Sequence, residues 1–237
     1  MSSGPRALIL ASAVLTAAYA APATRLGRVF LPVTTRLRTN SAVALTFDDG
    51  PDRGLDAFLN VLEKYKVGAT FFVAGEQVER DPSKLREIVS CGHEVAIHCY
   101  RHRNHLRLTP RQVVEDMRRA STVVEEAAER PVRSFRPPYG RFNLASWLEA
   151  GRQGWERVLW TRDAQDWEVR ATPWSIADNI GWPQAGDILL LHDSDRYYEA
   201  PGSWHNTLGA LPIILERVSA LGLRACSVRK LLDGEER

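Results

Sequence analysis

Ala42-Val43-Ala44-Leu45-Thr46-Phe47-Asp48-Asp49-Gly50-Pro51-Asp52 is the stretch whose reading decides the fold. Its first half is an apolar run that reads as a buried strand. Asp48 and Asp49 end that run, and Gly50-Pro51 marks a turn. Successive strand residues point to opposite sides, but a turn at the strand's end can bring both carboxylates to one site. Of two neighbouring aspartates, one can bind a metal while the other handles protons, which is the division of labour in a metal-assisted hydrolase. The competing reading is a turn that only solubilises a strand end.

A second cluster runs from Gly92 to His102, Gly92-His93-Glu94-Val95-Ala96-Ile97-His98-Cys99-Tyr100-Arg101-His102. Glu94–Ile97 reads as another short buried strand, which leaves His98 at its end and His102 four positions later. On a first helical turn or a tight turn, positions four apart share a face, so both imidazoles can reach one ion. Two imidazoles and one carboxylate, here Asp49, suit zinc or a similar divalent metal with a position left open. The segment is also basic (Arg101, Arg103, Arg107), so a solvated loop competes with this reading. His93 is expected to be structural and His105 to lie on the rim or surface.

Three further motifs follow predicted strands. Arg136-Pro137-Pro138-Tyr139-Gly140 fixes its backbone with two prolines, so the arginine points one way and can pair with Asp48. Asp163-Ala164-Gln165-Asp166-Trp167 follows Arg157–Trp160, and Leu189-Leu190-Leu191-His192-Asp193 closes an apolar run. Strands are expected near 43–48, 69–74, 94–98, 133–136, 156–160, 187–192 and 223–228. Helical patterns occupy Leu55–Lys66, Pro82–Ser90, Pro110–Arg130, Leu144–Gly154, Pro173–Ile180 and Trp204–Leu221. Thr109 caps the long third helix ahead of Pro110, and Gly222 stops the last one. Such alternation implies a parallel sheet with crossover helices, with the chemistry gathered beyond the strands' carboxyl ends.

These residues resemble the polysaccharide deacetylase family, the carbohydrate esterases with the nodulation-protein B homology domain. The resemblance runs from about Ala42 to Val228. Five signatures appear in order: Thr-Phe-Asp-Asp-Gly at 46–50, His-x-x-x-His at 98–102, Arg-Pro-Pro-Tyr-Gly at 136–140, Asp-x-x-Asp-Trp at 163–167 and Leu-x-His at 190–192. Cys99 departs from the serine or threonine usual in the family. The resemblance implies an α/β fold, a distorted, incomplete (β/α) TIM-like barrel of about seven parallel strands.

It also implies roles. Asp49, His98 and His102 would hold a divalent metal, zinc foremost, with cobalt, nickel or manganese as alternatives. Asp48 would be the general base, oriented by Arg136. His192 would protonate the departing amine, kept charged by Asp166. A backbone N–H near Tyr139 would help stabilise the oxyanion, and Trp167 and Leu190 would wall the acetyl methyl group. The substrate would be an N-acetylated sugar in a polysaccharide, peptidoglycan or glycolipid. A formyl or other amide group on a lipid-linked sugar is the alternative for the same site. A catalytically silent glycan-binding module predicts a lost ligand or acid–base residue, and none is lost.

Composition agrees with one catalytic domain within a chain of 237 residues, 44% hydrophobic and 25% charged. A net charge of +2, with no sustained basic stripe or phosphate-binding loop, points away from nucleic acid. Cys91, Cys99 and Cys226 cannot form a fully paired disulfide framework, and Cys99 is the thiol that could ligate or oxidise beside a metal. Residues 1–23 read as a signal-peptide or membrane-anchor-like segment: Arg6 precedes an uncharged Ala-rich run, and Ala18-Tyr19-Ala20 has cleavage-site spacing. Export or membrane attachment is therefore expected over a cytoplasmic location. Residues 24–40 read as a basic linker that could lie against anionic lipid, and 41–237 as the catalytic domain. In the loop 193–207, Tyr197, Tyr198, Trp204 and His205 offer stacking surfaces for sugar rings.

Overall fold

The structure is a computed structural model and describes residues 16–197 and 200–235. Its sheet is made of β1 (Ala42–Asp48), β2 (Thr70–Ala74), β3 (Glu94–Cys99), β4 (Ser134–Phe135), β5 (Glu156–Arg157), β6 (Arg162–Asp163), β7 (Ile188–His192) and β8 (Arg224–Cys226). The order is β5-β4-β3-β2-β1-β7-β6, with β8 beside the start of β1, and every pairing is parallel. Around it lie α1 (Gly27–Phe30), α2 (Leu55–Tyr65), α3 (Gly75–Arg80), α4 (Pro82–Ser90), α5 (Pro110–Ala128), α6 (Leu144–Arg152), α7 (Pro173–Ile180), α8 (Ser203–Ala220) and α9 (Val228–Leu232). The sheet curls into an incomplete barrel whose two edges are β5 and β6. The expected strand 156–160 is divided: its start pairs with β4, and the chain reaches β7 only at 162–163.

All seven residues of β1 are buried because both of its faces are covered. Val43, Leu45 and Phe47 face the helices, where Phe47 stacks on Phe71 and meets Phe58 edge-on. Ala42 and Ala44 face the barrel axis with Phe72, Ala96, Val158 and Ile188. The same alternation carries Thr46 and Asp48, Ala96 and His98, and Leu190 and His192 inward at the carboxyl ends. Strand register sets Asp48 beside His192. Period two therefore delivers the chemistry to one mouth.

Helix ends follow local chemistry. Thr109 and Gln112 form a reciprocal capping box at the start of α5, and Asn143 and Ser146 do the same for α6. Gly222, at φ +70, turns the chain after α8. Residues 34–37 cross the opening between the sheet edges. Thr34 bridges Val158, Leu37 N–H donates to the Gly186 carbonyl, and Arg36 pairs with Asp187 at 2.5 Å.

Candidate active site

The site is built where β1, β3, β4 and β7 end. Asp49 adopts φ 81, a left-handed conformation uncommon for a side chain larger than glycine. Its N–H donates to the Phe72 carbonyl, and the Gly50 N–H donates to Asp193 Oδ1 at 3.1 Å. A Cβ on Gly50 would sit 2.1 Å from the Asp193 carboxylate, so only glycine lets that carboxylate close on the turn. Tyr139 (φ 60) and Gln165 (φ 51) are left-handed as well. Left-handed backbone thus recurs in three of the loops at this mouth.

Asp49, His98 and His102 each offer one ligand atom within 4.8 Å of the others. Asp49 Oδ1 lies 3.3 Å from His98 Nε2 and 3.5 Å from His102 Nε2. His98 Nδ1 is 2.8 Å from the Arg136 carbonyl; because a carbonyl only accepts, Nδ1 carries the proton and Nε2 turns its lone pair toward Asp49. Burial first, then the neighbouring His102, lowers the His98 pKa well below its ordinary value. Burial lowers that of His102 too. Both rings are therefore neutral, the state a ligand requires. Among the described residues neither buried Asp49 carboxylate oxygen has a hydrogen-bond donor, which is costly unless a cation takes its place. The donor set fits a divalent metal of the zinc type.

Asp48 stands beside this set. Arg136 Nη1 donates to Asp48 Oδ1 at 2.6 Å and to Thr46 Oγ1 at 2.9 Å, while Nη2 donates to the Leu159 carbonyl at 3.1 Å. The guanidinium also lies 4.1 Å over the Phe72 ring. Burial raises the Asp48 pKa, Arg136 and His192 pull it back, and it settles at about 6. Asp48 is thus ionised at neutral pH and basic enough to accept a proton.

His192 and Asp166 form a second buried, coupled pair. His192 Nδ1 is 2.6 Å from Asp166 Oδ1, and the His192 backbone N–H and Thr207 hydroxyl donate to Asp166 Oδ2 at 2.8 and 2.9 Å. Burial lowers the His192 pKa, but the Asp166 carboxylate outweighs it, helped by Asp49 and Asp48, and the pKa is raised to about 10. His192 Nε2 lies 3.9 Å from Asp49 Oδ2. An imidazolium therefore faces the ligand set across the mouth.

The residues expected around the substrate are placed variously. The Tyr139 ring is 4.6 Å from His102 and half exposed. Leu190 is buried on the inward face of β7 with His192, and Trp167 is 40% exposed beside Asp166. Tyr197 does not stand open for a sugar: it stacks on His102 at 4.8 Å, and its hydroxyl donates to Glu76 at 2.8 Å. Tyr198 lies outside the described residues. Trp204 and His205 stack on each other in the first turn of α8, and Trp204 packs against Gly54.

His105 is a correction. The sequence places it at the rim or surface, yet it is fully buried and stacks on Phe135 at 6.1 Å. A 3₁₀ turn begun by Asn104 folds it inward, and Asn143 Nδ2 donates to its carbonyl. His93 is structural, accepting the Ala69 N–H with Nδ1. Burial pushes the Cys99 thiol well above its ordinary pKa, so it stays protonated, and it is not among the ligand atoms that converge.

Sequence reasoning gave no role to Asp193, Thr46 or Asp116. Asp116 accepts the Tyr100 and Arg101 N–H groups and pairs with Arg103 at 2.9 Å, so it shapes the turn between the two histidines. Its one signal was a carboxylate on the otherwise apolar face of α5. A cavity of about 1020 Å³ lies at the opposite end of the barrel, lined by Leu59, Lys66, Cys91, His93, Arg224 and Lys230. It contains none of the motif residues.

The Polysaccharide deacetylase family matches residues 36–158. A peptidoglycan-N-acetylglucosamine deacetylase of Bacillus cereus is 32% identical over 195 residues, covering 80% of this chain and 87% of the relative. The solved structure of a peptidoglycan N-acetylglucosamine deacetylase with a bound N-hydroxybenzamide superposes with a TM-score of 0.80 at 26% identity, over 88% of this chain and 96% of that one. A carbohydrate esterase family 4 pseudoenzyme from Bacillus anthracis superposes at 0.75 with 27% identity, over 84% and 68%. Fold, motif order and sequence agree, and the chain belongs to the polysaccharide deacetylase family of hydrolases.

Proposed function

We propose that this protein is a divalent-metal-dependent N-deacetylase acting on an acetylated aminosugar in a polysaccharide, peptidoglycan or glycolipid at the cell envelope. The carrying observation is the convergence of Asp48, Asp49, His98, His102, Arg136, Asp166 and His192 on one mouth. A family relative can be a pseudoenzyme, so membership alone does not assign turnover. The complete set of ligands and acid–base residues supports it here.

Held by Asp49, His98 and His102, a cation such as Zn²⁺ would supply Lewis-acid polarisation of the acetyl carbonyl and acidify a water. Co²⁺, Ni²⁺ and Mn²⁺ share enough of that coordination chemistry to substitute. The protein's own groups do the proton work. Asp48, held through Oδ1 by Arg136, takes the proton of the attacking water on its other oxygen. The Tyr139 backbone, fixed by the two prolines and the left-handed turn, offers an N–H to the developing oxyanion. His192 gives the Nε2 proton to the amine as the C–N bond breaks, and Asp166 stabilises the imidazolium until then. The products are acetate and a free amino sugar. Leu190 and Trp167 supply apolar surface for the acetyl methyl.

Product identity tests the acyl group. The metal-loaded protein, given N-acetylated and N-formylated versions of the same aminosugars, should release acetate. Formate without acetate would sink the acetyl assignment.

A further inference from the structure

We propose that the N-terminal segment of the described chain is an interfacial docking ridge that seats the barrel on an anionic lipid bilayer. Leu26, Val29 and Phe30 are 75%, 72% and 78% exposed, among the most exposed large apolar side chains of the described residues. Their spacing on the turn of α1 puts all three on one face. Apolar side chains left in water at that density mark an interaction surface rather than ordinary exposure.

The ridge is built, not frayed. The Thr24 hydroxyl donates to the Ala21 carbonyl and accepts the Gly27 N–H, each at 2.9 Å. Gly27 is pressed so closely on Ala21 that an added Cβ would lie 1.8 Å from its carbonyl oxygen. Arg28 ties back to the Pro22 and Ala23 carbonyls. The Tyr19 hydroxyl donates to the Leu108 carbonyl and accepts from Asn143, and the Trp147 indole holds the Pro32 carbonyl. Leu108 and Asn143 lie in the connections that leave β3 and β4 at the catalytic end. The ridge is therefore fixed to the catalytic side of the barrel.

Charge selects the occupant. The first 47 residues contain Arg6, Arg25, Arg28, Arg36 and Arg38 and no aspartate or glutamate. Arg25 and Arg38 are exposed and make no ion pair among the described residues. A one-sign basic segment beside exposed leucine, valine and phenylalanine matches the anionic headgroups and acyl boundary of a bilayer. No helix of the described residues is long and apolar enough to cross a membrane, so the contact proposed is interfacial. It is independent of the reaction assignment.

The test is co-sedimentation of the full chain with vesicles of equal phosphatidylglycerol and phosphatidylcholine, and with vesicles of phosphatidylcholine alone. Wild type should bind the anionic vesicles, with each exposed arginine contributing about a fivefold factor over the neutral ones. The triple variant Leu26→Ser, Val29→Ser, Phe30→Ser should lose roughly a hundredfold in partition. Leu26→Ile, Val29→Ile, Phe30→Leu keeps the ridge apolar and should bind like wild type, which separates docking from a folding defect. Equal binding by wild type and the serine variant would overturn the proposal, as would equal binding to both vesicles or none to either. Self-association that the serine variant abolishes, in the absence of vesicles, would assign the ridge to a second copy and also overturn it.

Discussion

Replacing Asp166 with asparagine removes the charge that keeps His192 protonated while leaving a side chain of the same shape. The wild-type His192 pKa is about 10, against an ordinary value of 6.5, although burial alone pushes it the other way. That difference corresponds to about 5 kcal/mol of preference for the imidazolium, most of it from the carboxylate 2.6 Å away. Without the charge, the His192 pKa falls to about 6.5 or lower. At about pH 8 the protonated fraction then drops from nearly all to about three in a hundred, and kcat should fall at least about thirtyfold. The assay is kcat against pH for metal-loaded protein on a soluble acetylated oligosaccharide. Wild type should give a bell whose acid limb belongs to Asp48 and whose alkaline limb belongs to His192 and lies well above the ordinary histidine value of 6.5. The variant should lose the alkaline limb to a value near or below 6.5 and keep its metal content. A second readout follows from linkage. Because the folded pKa is raised, the stabilisation is complete below 6.5 and disappears as pH rises through 10. The variant should therefore be destabilised more at about pH 6 than at about pH 10. An alkaline limb and kcat both within about twofold of wild type would refute His192–Asp166 as the acid couple.

Other predictions are independent. Asp48→Asn should keep the metal and lower kcat by about 10²–10⁴, the usual contribution of a general base, as checked by metal analysis beside turnover; unchanged turnover would remove Asp48 from that role. Arg136→Met strips one partner from a fully buried pair and should destabilise the fold by about 3–5 kcal/mol in urea melts. His105 is buried neutral with its pKa lowered to about 3, chiefly by burial. Below 6.5 the unfolded chain gains a proton that the folded one does not, so stability should drop by about 2 kcal/mol between about pH 8 and pH 5 from this group. His105→Leu should flatten that part of the stability profile, and an unaltered slope would contradict the assignment.

What the sequence conveyed and what it concealed divide along physical lines. β1 was legible because a strand covered on both faces reads as a continuous apolar run, and the residues that break it are the ones with chemistry. The inward placement of Asp48, His98 and His192 follows from alternation, since each lies at the carboxyl end of its strand two positions after an inward residue that is small or apolar (Thr46, Ala96, Leu190). The split at 156–163 was illegible: β5 and β6 have two residues each, and Glu156, Arg157 and Arg162 carry no strand pattern. A histidine between Arg103 and Arg107 looks solvated, and the contacts that draw its turn inward, the Asn143 hydrogen bond and the Phe135 ring, come from segments distant in sequence. The helices α1, α3 and α9 carry no sequence pattern because of their brevity. Asp193 gave no signal beyond its place after His192; its closure on Gly50 depends on a contact 143 positions apart.

The central claim is that Asp49, His98 and His102 hold a cation without which no acyl group leaves the sugar. The most direct test is acetate release, measured as metal is titrated into chelator-stripped protein, from acetylated oligosaccharides, peptidoglycan fragments and lipid-linked aminosugars, with Asp49→Ala beside it. The account predicts acetate from at least one substrate, rising to a plateau at one equivalent of metal and absent in the variant. Acetate release by stripped protein, or by Asp49→Ala at the wild-type rate, would contradict it.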